Sequence, residues 1–156
     1  MKLNDESGKQ ELNMSRVFDA PPEVVFDAWV DSHQLSQWWG PKGFTNPVCE
    51  LEVRPGGQIY IEMTDAEGRV QPLSGVFQVI SKHSQLVFTT SSFLGRDDNP
   101  GLHSLNTVLF QEDVDGKTKL TLKVILVRSS PIAAQAVKDM RRNWDESLDR
   151  LEKVLQ

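Results

Sequence analysis

The sequence predicts an α+β fold: a curved antiparallel sheet wrapped around a long C-terminal helix, with two short helices after the first strand. Three observations predict it. From Cys49 onward, successive segments alternate apolar and polar residues with the period-two rhythm of half-buried strands. Near the C-terminus, Ala133, Val137, Met140, Trp144, Leu148, Leu151 and Leu155 recur at three- and four-residue steps, one face of a helix. The only other helical spacing lies between the first strand and the alternating region.

In order, residues 1–12 form a polar tail and residues 13–156 a single domain, because no repeat, low-complexity tract or linker divides them. Asn13 to Asp19 reads as a strand, stopped by Ala20-Pro21-Pro22, with the prolines at a helix start and Asp19 as its N-cap. Val25, Phe26, Trp29 and Val30 then mark the first helix. Asp31-Ser32 caps a second over His33 to Trp38, which Gly40-Pro41 ends.

Cys49, Leu51 and Val53 alternate against Glu50 and Glu52, and Ile59, Ile61 and Met63 against Tyr60 and Glu62. The turns Arg54-Pro55-Gly56-Gly57 and Asp65-Ala66-Glu67-Gly68 bound the second of these strands. Further strands read at Val70 to Ile80, Gln85 to Ser91, Ser104 to Glu112 and Lys117 to Val127, the last two joined by a hairpin at Asp115-Gly116. Phe93 to His103 reads as the longest loop, a lid or binding loop. After Ser130-Pro131, about 24 residues of helix reach roughly 36 Å, enough to cross such a sheet. A strongly twisted sheet closing on one helix leaves a cavity between them.

Composition narrows the function. The formal charge of -5, from 22 acidic and 17 basic residues without a basic stripe, argues against nucleic acid. No apolar run reaches the roughly 18 residues needed to span a bilayer. A single cysteine, Cys49, excludes an intrachain disulfide and reads as an inert buried thiol; with no secretory leader in view, the cytoplasm is the expected compartment.

No nucleophile elbow, zinc-protease motif, paired cysteines, phosphate loop or calcium loop occurs, so no catalytic residue, metal or cofactor is expected. His33 reads as a surface residue near Asp31, and His83 as a turn residue. His103 follows Asp97 and Asp98, a pairing able to polarise a ligand, though without the ligand spacing a metal needs.

Arg16-Val17-Phe18-Asp19-Ala20-Pro21-Pro22-Glu23, Gln37-Trp38-Trp39-Gly40-Pro41, Arg54-Pro55-Gly56-Gly57, Gly116-Lys117-Thr118, and Trp144 with Leu148 and Leu151 stand in an order and spacing that cover nearly the whole chain. In these the sequence resembles the activator of heat-shock protein 90 ATPase homologue-like family, of the START-like (SRPBCC) helix-grip superfamily. The resemblance implies a helix-grip fold whose relatives commonly enclose hydrophobic compounds. It also implies a stress-related role with a chaperone contact. The family's eukaryotic co-chaperones add a separate chaperone-binding domain for which these 156 residues leave no room. Asn143 stands where the family often has glycine, which alters how closely the helix approaches the sheet.

The expected function is therefore a non-enzymatic binding protein holding a small apolar or amphipathic molecule between sheet and C-terminal helix, as a monomer or homodimer. The expected ligand-binding residues are Trp38, Trp39, Phe44, Ile61, Met63, Phe77, Phe88, Leu122, Met140 and Trp144, with Phe93, Asp97 and His103 as a loop gate. Of the adjacent tryptophans, one packs in the core and the other lines the entrance. The alternatives are a chaperone-accessory or other interaction domain, and a cyclase- or hydrolase-like enzyme using His103, Asp97 or Tyr60 as acid or base.

Overall fold

A computed structural model describes residues 10–94 and 100–156. Seven strands, β1 (Gln10–Phe18), β2 (Thr45–Leu51), β3 (Gln58–Thr64), β4 (Val70–Ser81), β5 (Gln85–Leu94), β6 (Pro100–Glu112) and β7 (Thr118–Ser129), form one sheet. Its order is β1-β7-β6-β5-β4-β3-β2, and every pair is antiparallel. Helices α1 (Pro22–Val30) and α2 (Ser32–Trp38) follow β1, and α3 (Ala134–Lys138) and α4 (Met140–Val154) end the chain. This is the α+β arrangement the sequence predicts. No helix among the described residues is long and apolar enough to cross a membrane.

The details differ from expectation in ways that have local causes. β1 starts at Gln10, three residues inside the predicted tail, because Leu12 is an inward position at 1% exposure, paired with Val124 of β7. Pro21, not Asp19, is the N-cap of α1, and it has no side chain able to accept a capping bond. Asp31 does cap α2, accepting from the backbone N–H groups of His33 and Gln34. Cys49 is only half-buried and Val53 is exposed, because β2 is an edge strand that breaks register between Thr45 and Val48 and ends at Leu51.

The segment Phe93 to His103, expected as a loop, is strand at both of its described ends, Phe93–Leu94 and Pro100–His103. Pairing continues through Leu94 opposite Pro100, so His103 sits within β6 opposite Ser91. The C-terminal stripe is likewise segmented. A 3-10 turn over Pro131–Ala133 leads into α3, and the helix breaks at Asp139, where the φ and ψ angles are -95° and 7°. The Asp139 carboxylate accepts from Gln135 Nε2 at 2.8 Å and pairs with Arg142 at 3.1 Å, interactions that hold this short polar residue at the junction. α4 alone spans roughly 22 Å.

The core lies between the concave face of the sheet and the helices. Trp38, Phe18, Leu120, Leu122, Leu148 and Leu151 are all fully buried. Burying a tryptophan such as Trp38 removes roughly 150 to 250 Å² from water, about 4 to 6 kcal/mol before entropy is subtracted. Its indole N–H donates to the Ala28 carbonyl at 2.9 Å, which fixes α2 on α1. Thr118, at the start of β7, donates to the Ala20 carbonyl at 2.7 Å in a buried bond that locks the β1–α1 corner to the sheet. Gly57 follows the turn before β3 because a Cβ there would stand 1.9 Å from the Glu52 carbonyl oxygen.

Candidate functional site: a cavity under the C-terminal helices

Along β5 the inward positions run Leu86, Phe88, Thr90, Ser92, and along β6, in the opposite direction, Phe110, Val108, Asn106, Ser104. Large apolar side chains at one end of these strands meet α1 and α2 and fill the core. Small polar ones at the other end leave space under α3 and α4. That space is a cavity of about 290 Å³.

Its walls come from every layer. β3 and β4 supply Met63, Gln71 and Leu73; β5 and β6 supply Thr90, Ser92, Leu102, Ser104 and Asn106. Val124 of β7 completes the floor, while Ala136, Met140, Asn143, Trp144 and Ser147 form the roof. The loop after α2 closes one side with Trp39, Gly40, Pro41 and Phe44. Trp144 stacks on Trp29 at 6.1 Å and 18°, and meets the edge of Trp39 at 5.4 Å and 84°. These rings make a rigid aromatic corner.

The rim is held by α4. Arg150 Nη1 donates to the carbonyls of Trp39 (3.1 Å), Gly40 (2.9 Å) and Pro41 (3.2 Å), and its Nη2 to that of Gln37 (3.2 Å). Burial lowers the basicity of this guanidinium. One side chain thus satisfies the carbonyls exposed where α2 ends. Gly40 takes φ +95° there, a left-handed conformation, with Met63 Cε 3.0 Å from where a Cβ would lie. Glu146 accepts from the Lys42 backbone N–H at 3.0 Å, a second tie between α4 and the rim.

Polar groups on the floor are only partly satisfied. Asn106, 1% exposed, donates to the Phe88 carbonyl and to Thr90 Oγ1, both at 3.2 Å. Ser92 and Ser104 are buried residues of the cavity lining, and their hydroxyls have no hydrogen-bond partner among the described residues.

Of the residues expected to bind a ligand, the structure gathers Trp39, Phe44, Met63, Met140 and Trp144 around this cavity. Ile61, Phe77 and Phe88 instead line a separate gap of about 20 Å³ behind Trp39, hardly larger than one water. Trp38 and Leu122 are fully buried and reach neither space, because both face the packed end of the core. Of the expected gate, Asp97 and the Phe93 side chain lie outside the described residues. His103 belongs to the opposite face: Leu102 and Ser104 point into the cavity, so the residue between them points out, where its Nδ1 meets Ser91 Oγ at 2.6 Å.

Tyr60 shares that outer row, opposite Glu50 and Ser74. Its phenol donates to Glu62 at 2.7 Å, and this bond to a carboxylate raises the phenol's pKa. The two acid–base candidates within the described residues therefore stand outside the cavity. The thiol of Cys49 is pushed up to about 11 by burial and, secondarily, by the Glu50 charge, so it is protonated at neutral pH. No group of three His, Cys, Asp or Glu able to hold a metal occurs among the described residues. A surface hollow of about 340 Å³ beside Phe18, Lys117 and Glu152 shares no residue with the cavity.

The residues missed in the sequence include every polar one, Gln71, Thr90, Ser92, Ser104, Asn106, Asn143 and Ser147, and the apolar Leu73, Leu102, Val124 and Ala136. The alternation that places Phe88 inward also places Thr90 and Ser92 inward, so the signal was present in the parity of the strand.

Comparison with known proteins agrees with this architecture. A Rhodobacter sphaeroides protein is 25% identical over 99% of this chain and 97% of its own, with a TM-score of 0.79. The AHSA1 protein of Silicibacter pomeroyi is 27% identical over 93% of this chain and 96% of its own, with a TM-score of 0.73. A Nitrosomonas europaea protein, 24% identical over 93% of both chains, has the same fold with a TM-score of 0.76. A search of curated proteins returned no match. The sequence model described as activator of Hsp90 ATPase homolog 1-like protein matches residues 19–156, from the β1–α1 corner to the last residue, and the chain belongs to that family.

Proposed function

We propose that this protein is a binding domain that holds one small apolar or amphipathic molecule between its sheet and its C-terminal helices. The observation that carries the reading is the cavity of about 290 Å³, which combines an aromatic corner with the hydroxyl-bearing residues Ser92 and Ser104 in its lining. Close packing normally leaves few voids larger than a water molecule, and a void that retains polar groups is suited to an occupant. The volume is at the lower edge of ligand pockets, about 300 Å³, which suits a molecule of one or two rings. Burial of apolar surface against Trp39, Trp144, Met63 and Met140 supplies most of the affinity.

The test is binding of the neutral fluorescent probe N-phenylnaphthylamine, together with native mass spectrometry of protein purified without added ligand. The native chain is expected to enhance the probe's fluorescence. Met140→Glu abolishes that enhancement while leaving the far-ultraviolet circular dichroism unchanged, because an acidic residue is well tolerated in the first turn of α4 but not inside the cavity. A native chain that binds neither probe nor any retained molecule overturns the proposal.

A further inference from the structure

We infer that the cavity takes an uncharged, ring-sized molecule bearing a hydroxyl or carbonyl group at one edge, seated on Ser92, Ser104 and Asn106, and that it rejects carboxylates. This rests on the cavity being a ligand site and narrows what that site accepts. Ser104 lies directly opposite Thr90, Ser92 is one inward step along β5, and Asn106 one inward step along β6. They form one polar patch on the sheet face that lines the cavity, to which β4 adds Gln71.

Their hydrogen-bonding capacity defines the complement. Asn106 spends its amide hydrogens on the Phe88 carbonyl and Thr90 Oγ1, which leaves its own Oδ1 as an acceptor and the Thr90 O–H as a donor. Ser92 and Ser104 can each give or receive. Such a set satisfies a hydroxyl, which needs both roles, or a carbonyl, which needs donors alone. Both serines line the cavity, and neither hydroxyl is tied to another protein group among the described residues, so both remain available to an occupant.

Charge sets the other limit. No Asp, Glu, Lys, Arg or His is among the described residues lining the cavity. The cation at its rim, Arg150, already donates to four backbone carbonyls. A carboxylate would therefore lose its hydration with no counter-charge to replace it. Opposite the polar patch, the perpendicular Trp39 and Trp144 rings suit the faces and edges of a planar ring.

The experiment is displacement of N-phenylnaphthylamine from the full chain at neutral pH by naphthol, naphthoate and methylnaphthalene, which share a ring system and differ in the edge group. Naphthol is expected to act at concentrations up to about tenfold lower than methylnaphthalene, the worth of one good hydrogen bond. Naphthoate is expected to be about a hundredfold weaker than naphthol or worse, as an unpaired buried charge requires. The double variant Ser92→Ala, Ser104→Ala should remove naphthol's advantage while methylnaphthalene displaces as before. Thr90→Val, close in shape, is the second variant and should reduce that advantage too. Naphthoate matching naphthol, or an advantage that survives in both variants, overturns the inference while leaving the binding function intact. A native chain that binds neither the probe nor any of the three compounds overturns both.

Discussion

Asp31 and Arg150 meet the two ends of the same short helix by different means. Asp31 caps the N-terminus of α2 with bonds from the backbone N–H groups of His33 and Gln34 and from the Gln34 amide. The backbone bond from Gln34, then its side-chain bond, holds the Asp31 carboxyl below its usual range. A depressed carboxyl stabilises the fold fully above the unfolded value of about 3.9, and that contribution is lost as the pH falls through the lower folded value. Urea unfolding across this acid range should show Asp31→Ala less stable than the native chain by about 1 kcal/mol at neutral pH, with the difference shrinking as the cap protonates. The cap was legible because donor and acceptor lie within three residues. Arg150 was not: it is separated from its carbonyl partners by more than a hundred positions, and no local pattern encodes that meeting.

At the scale of elements, α4 does three things: it buries Leu148 and Leu151, roofs the cavity with Met140 and Trp144, and straps the rim through Arg150. It is also tied to β1 by Arg16, which pairs with Asp145 and, at 2.7 Å, with Asp149. Those acidic partners are exposed, so this tie contributes little beside the apolar face. Arg150→Ala should lower the unfolding free energy by about 2 kcal/mol in urea titrations, since it removes charge-assisted bonds and leaves α2 carbonyls unpaired. Arg150→Lys should recover only part of it, because an ammonium lacks the planar fork that reaches four carbonyls. The face of α4 was readable from its three- and four-residue steps. Its separation from α3 was not, because the apolar stripe runs on across Asp139 while the backbone does not. The β5–β6 hairpin was hidden similarly: Gly95, Pro100 and Gly101 are turn residues by composition, yet pairing extends to Leu94 and Pro100.

For the whole molecule, the fold follows from a sheet that twists around one amphipathic face, and the cavity from a change in side-chain size along that sheet. Phe88 and Phe110 fill the end where α1 and α2 pack; Thr90, Ser92, Ser104 and Asn106 leave the other end open. The part of the cavity lining made by Trp39, Phe44, Met63, Met140 and Trp144 was legible as apolar residues on converging elements. The division between core and cavity was not, since Ile61, Phe77, Phe88 and Leu122 obey the same alternation as Met63 and differ only in what stands across from them. The four tryptophans make that division observable. The most direct test is a nitrogen–proton NMR titration of the indole N–H signals with naphthol. Trp39 and Trp144, which line the cavity, should shift in a saturable way, while Trp38, fully buried and bonded to the Ala28 carbonyl, stays in place. Trp39 and Trp144 signals that remain unmoved at saturating naphthol would contradict the account.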